Sequence, residues 1–236
     1  MPDYKALEKQ FQETLDLRRR PVAVAFTDEA PASVQKFSGS EPAGCSFWRL
    51  AADGRSFVTA PSDHYNCPVG SYTHNIALPE DRAQDLPSIL GTMTSLGYLK
   101  MEEVPEIPVL PKPPKNILFA PLGDTAVDPD VVLFVATASK LMLLEEAALR
   151  AGVASKLPLL PRPTCMAIPA ALEHGMVTSA ACIGNRVYTE IGEGELYAAL
   201  PGSALELVAQ ELQTIASANQ TLEQYHRGRQ QQLSTA

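Results

Sequence analysis

Three short apolar runs, at residues 22–26 (Val-Ala-Val-Ala-Phe), 117–120 and 131–135, constrain the fold of this 236-residue chain more than any other feature. Each carries β-branched or aromatic residues, is too short for a self-burying helix and is bounded by turn formers. That is the pattern of a strand covered on both faces. Helical patterns lie between and around them. Residues 3–17 place Tyr4, Leu7, Phe11 and Leu15 on one face, with Asp3 as the cap and Pro21 as the stop. A helix is expected over 139–151, capped by Ser139 and ended by Gly152, and another over 203–217 with Leu205, Val208, Leu212 and Ile215 on one face. A third, over 86–99, is weakened by Pro87, Gly91 and Gly97. Residues 28–44 and 61–70 read as loops, and 220–236 as a polar end prone to fraying.

Strands alternating with helices predict an α/β class. The sheet is expected to be mixed (α+β), because several connections are too short for parallel crossovers, and to be flanked by N- and C-terminal helices. Five prolines, Pro105, Pro108, Pro111, Pro113 and Pro114, exclude a helix or central strand at 105–114. This segment reads as a connector between a first half, 1–104, and a second half, 115–236.

The halves resemble one another. Cys45 is followed by a helical stretch, a glycine, a small strand and then Cys67-Pro-Val-Gly70. Cys165 is followed by the same succession, ending in Cys182-Ile-Gly184. An internal duplication would bring equivalent cysteines together across a pseudo-twofold axis.

The formal charge of −8 and pI near 5.0 give no clustered basic footprint, so nucleic acid is not an expected partner. The only basic run, Arg18-Arg19-Arg20, reads as a helix end. No stretch approaches the ~18 apolar residues of a membrane span, and the charged opening residues lack a secretory apolar core. A cytoplasmic location is therefore expected, where the four cysteines serve as free or metal-bound thiols and not as disulfides.

Those cysteines carry the chemistry. His64-Tyr-Asn-Cys67 sets an imidazole three residues before a thiol, with His74 following. Cys182-Ile-Gly184-Asn185-Arg186 offers close backbone approach, an amide and a guanidinium fork for an anion. Cys165 opens a helix, whose positive end favours a thiolate. His174 and His226 read as surface residues. Dinucleotide, Walker, nucleophile-elbow and zinc-protease motifs are all lacking. Three readings stay open. Cys45, Cys67, Cys165 and Cys182 ligate a metal, either zinc or an iron-sulfur cluster, with His64, Asn185 and Arg186 around it. Alternatively, Cys67 and His64 form a thiol enzyme acting on a small anionic molecule. The third is a haem or small-molecule binding module. A redox partner and a homo-oligomer are compatible with the first.

At Cys45-Ser-Phe-Trp, Asp63-His-Tyr-Asn-Cys-Pro-Val-Gly70 and Ala181-Cys-Ile-Gly-Asn-Arg-Val-Tyr188 the sequence resembles the bacterial and archaeal family known as domain of unknown function 169. Similarity extends over roughly residues 3–210 and includes Arg-Pro-Val-Ala-Val after the first helix. The family carries no established activity. Its occurrence among anaerobes implies an iron-sulfur centre over zinc.

Overall fold

The structure is a computed structural model that describes residues 2–234. In α1 (Tyr4–Leu15) Asp3 accepts the Ala6 N–H at 3.0 Å, and Asp16 closes the helix in the left-handed conformation. The elements that follow are β1 (Val22–Thr27), α2 (Ser46–Ala52), β2 (Phe57–Thr59), α3 (Pro68–Thr73), α4 (Asp85–Ser95) and β3 (Asn116–Pro121). Then come β4 (Val131–Thr137), α5 (Ala138–Arg150), α6 (Ala167–His174), β5 (Val177–Ser179), α7 (Ile183–Thr189), β6 (Glu195–Pro201) and α8 (Leu205–Ser234).

Among the described residues, all six strands join one sheet, in the order β2-β3-β1-β4-β6-β5. The mixed helix-and-sheet class holds, but every ladder in the sheet is antiparallel. β3 and β4 do run parallel to each other. Both pair with β1, on its opposite sides, so their parallel relation never becomes a ladder. Parallel pairing survives only as isolated bridges such as Lys36 to Val58 and Leu160 to Ser179.

The strand order reads the same from either edge when β1, β2 and β3 are matched with β4, β5 and β6. In both sets a short helix precedes the second strand (α2, α6) and another follows it (α3, α7). The correspondence is one of element order, broken by α4 in the first set and α5 in the second. Residues 105–114 lead from α4 into β3, which lies between β2 and β1. The proline segment therefore returns the chain to the first set of strands and is not a boundary between domains.

Strand alternation sends successive side chains to opposite faces. On one face Phe134, Leu144 and Leu212 pack with Phe11 beneath α1, α5 and α8. On the other, Phe47, Trp48, Phe57, Phe119 and Ile168 pack beneath α2 and α6. Burying each such side chain contributes about 1.5–3 kcal/mol. The turn after β6 presses on the turn before β4: Gly202 donates its N–H to Asp130 O at 2.8 Å, and a Cβ on Gly202 would lie 1.7 Å from the Pro129 carbonyl oxygen. Gly202→Ala is expected to destabilise the fold by about 3 kcal/mol or more, measured as a fall in the urea midpoint at unchanged slope.

Several local expectations change. Residues 61–70 contain a 3-10 turn, Pro61–His64, and the start of α3, each opened by a proline that pre-sets its first turn. Another 3-10 turn, Met101–Glu106, enters the proline segment. Thr137 and not Ser139 precedes α5. α8 continues through Ser234, aided by helix-forming Gln, Glu and Leu and by an Arg227–Glu223 pair. Of the basic run, Arg19 donates to the Thr189 and Glu190 carbonyls at the end of α7, while Arg20 pairs with Glu8 and Asp124. Both are structural ties.

Candidate functional site

The four cysteines meet. Cys45 and Cys182 are the residues before α2 and α7, Cys67 precedes α3, and Cys165 lies in a 3-10 turn, Thr164–Met166, that runs into α6. Contacts close these segments into a ring. The Gly44 and Gly70 amides donate to the Cys67 sulfur. The Cys165 thiol faces the Val69 carbonyl at 3.9 Å, and the Cys182 N–H donates to Thr164 Oγ1 at 2.7 Å. Asn185, one turn into α7, sets its side chain beside Cys45 and completes the circuit.

Two details mark the sulfurs as the focus. A Cβ on Gly70 would fall 2.8 Å from Cys67 Sγ, so glycine is what lets that amide reach the sulfur. Asn185 is 1% exposed; its Oδ1 accepts from Thr189 Oγ1 at 3.3 Å, while Nδ2 has no hydrogen-bond partner. A buried donor left unmet costs about 1–3 kcal/mol, which an anionic sulfur beside it would recover.

All four thiols and Asn185 line one cavity of about 340 Å³. Its other walls are mostly apolar, including Val69, Ile89, Leu90, Met93 and Ile107, with Asn66 and Thr164 as polar exceptions, and among the described residues Arg162 is the only charged one on it. A larger surface groove, about 590 Å³ between α5 and residues 154–159, contains no cysteine.

Burial overrides the favourable helix starts. It pushes the Cys45 thiol up to about 12, raises Cys67, and raises Cys165 well above its ordinary value. Neighbouring thiols add to each rise, because a second negative charge in the cavity repels the first. These three are therefore neutral at pH 7 unless a cation compensates them. All four are free thiols. Among the described residues, no group of three or more Cys, His, Asp or Glu is arranged to hold a single metal ion. The sulfurs surround a space and do not crowd one point.

The structure places the other sequence-derived residues differently. His64 is 3% exposed and lies behind the cavity, not on it. Its Nε2 pairs with Thr59 Oγ1 at 2.8 Å and its ring packs on Phe47 and Phe119. Burial lowers it to about 3, so the imidazole is neutral. His74 is likewise buried, held by Gly70 O at 2.9 Å and lowered to about 4. Arg186 turns away from the cavity: it donates to the carbonyls of Ala180, Gly192 and Glu195 at 2.6, 3.2 and 3.1 Å. Five donors on a rigid plane suit this clamp of three backbone carbonyls as well as they suit an anion. Sequence reasoning misses Arg162, whose one signal is its position between two prolines just before Cys165.

Fold and site together define a class: an α+β protein in which two topologically matched sets of strands present four thiols to one apolar cavity. The chain belongs to the family described as uncharacterised ArCR, the domain of unknown function 169, whose model matches residues 10–211 and so includes every cysteine. No curated protein and no solved structure matches it. Among the described residues, no helix is long and apolar enough to cross a membrane.

Proposed function

We propose that the chain holds an iron-sulfur cluster through Cys45, Cys67, Cys165 and Cys182 and serves a redox or accessory role. The observation that carries this reading is the convergence of four thiols, from four separate segments, on one apolar cavity. Thiolates are the protein ligands of such clusters, and a cluster supplies one-electron transfer or Lewis-acid chemistry where it is bound. Sulfurs spread around a cavity suit a multi-atom cluster better than one zinc ion, whose four ligands lie about 2.0–2.3 Å from a single centre. Asn185 Nδ2 and the Gly44 and Gly70 amides would donate to ligand sulfur, which stabilises its charge and tunes the potential.

The thiol-enzyme alternative loses its base. His64 is neutral, paired with Thr59 and off the cavity wall, and the Cys67 thiol is pushed up and not down.

Absorption spectroscopy on protein purified without air tests the proposal. A broad charge-transfer shoulder that bleaches on reduction is expected; a colourless zinc protein or a sharp Soret band overturns it. Gly70→Ala is expected to displace the Cys67 sulfur and lower iron retention by roughly tenfold, in the range of lost supporting contacts. Equal iron content in that variant would remove the supporting role given to this amide.

A further inference from the structure

We propose that the space beside the thiols binds a small organic carboxylate with an apolar body, held under α4 with its charge at Arg162. The site is that of the cluster reading, which supplies the reason a substrate would be there, but binding itself requires no metal. Three observations carry it.

The first is α4. None of its residues is buried, and its half-buried apolar side chains Ile89, Leu90 and Met93 face the cavity, not a packed core. An amphipathic helix of the body normally buries its apolar stripe. Here that stripe completes its packing only when something apolar fills the cavity.

The second is charge. Among the described residues, no acidic, lysine or histidine side chain lines the space, and Arg162 is the one charged group on its wall. Its Nη2 donates to Glu103 Oε2 at 2.8 Å, and the guanidinium lies 5.1 Å over Tyr98. Its Nε is buried with no hydrogen-bond partner. A side chain that lines the cavity and keeps a donor without an acceptor matches a carboxylate oxygen.

The third is size and composition. A cavity of about 340 Å³ with apolar walls and few polar groups has the character of a small-molecule site and lies at its lower size limit. The ligand is thus a single-ring, fused-ring or short branched acid, not a nucleotide.

Titration calorimetry with 2-naphthoate as the probe tests this on the full chain, metal-free and after anaerobic reconstitution. One saturable site is expected in the metal-free protein. Arg162→Gln should weaken it roughly tenfold, as loss of one charge-assisted hydrogen bond does, and Met93→Trp should abolish it by filling the cavity from a helix with no buried residue. The uncharged 2-naphthalenemethanol should bind at least as weakly as naphthoate binds to Arg162→Gln. Absence of saturable naphthoate binding, equal affinity for the alcohol, or unchanged binding in Met93→Trp each overturns the inference. Naphthoate binding in a chain that never retains iron overturns the cluster reading alone. Iron retention without naphthoate binding overturns this inference alone.

Discussion

Protein carrying Cys67→Ser is expected to emerge from anaerobic purification with iron reduced roughly tenfold or more, since a serine oxygen is a hard and poor substitute for a soft thiolate. Cys67 joins two segments of the ring. Its sulfur takes two amides, from Gly44 and Gly70, and a thiolate there would repel negative charge on both Cys45 and Cys165. The same two amides can donate to a serine oxygen, so the metal-free fold should change by no more than about 1 kcal/mol. Iron loss with an unchanged thermal midpoint separates a ligand from a packing residue. Full iron content in Cys67→Ser contradicts the assignment, and a large fall in the metal-free midpoint makes Cys67 a structural thiol.

Acid should unfold the metal-free protein through His64 and His74, independently of the thiols. Both imidazoles are held neutral by burial, at about 3 and about 4, while in the unfolded chain they titrate near 6.5. The unfolded state therefore takes up protons first as pH falls. Stability is full above about pH 6.5 and is lost below it, by about 1.4 kcal/mol per pH unit for each histidine. For His74 the loss stops near pH 4 and for His64 near pH 3. The pair together removes several kcal/mol by pH 4, a large share of the 5–15 kcal/mol that holds a typical domain. Urea midpoints measured from pH 7.5 to 4.5 should fall steeply, and His64→Gln, which can still hydrogen-bond Thr59, should roughly halve the slope. A flat profile over that range contradicts the buried neutral state of both rings.

Three strands are legible from their own composition, because that information is local, and the small strands β2 and β5 from the repeated succession around the cysteines. Residues 22–26, 117–120 and 131–135 advertise burial in their own composition, and β1, β3 and β4 occupy those positions. β6 is not legible, since Glu-Leu-Tyr-Ala-Ala-Leu-Pro has little β-branching; its strand state comes from the ladder with β4, a long-range cause. α3 and α7 are hidden for another reason: six or seven residues show too little periodicity to separate a helix from a loop. The site divides in the same way. Cysteines are rare and chemically loud, so Cys45, Cys67, Cys165 and Cys182 can be picked out, and the repeated succession around them suggests their meeting. Histidine and arginine roles depend on the direction of a side chain, which spacing does not encode. Spacing alone consequently assigns His64 and Arg186 to the cavity, although they fasten Thr59 and the carbonyls of Ala180, Gly192 and Glu195. Arg162, the cation that does line it, shows little in its local sequence beyond the flanking prolines.

Counting iron and acid-labile sulfide per chain after anaerobic reconstitution tests the central claim most directly. The account requires both, in equal numbers, in the unmodified chain and neither when all four cysteines are serine. A reconstituted chain that carries no iron or sulfide, with all its thiols free on denaturation, would show that these sulfurs meet for some purpose other than holding a cluster.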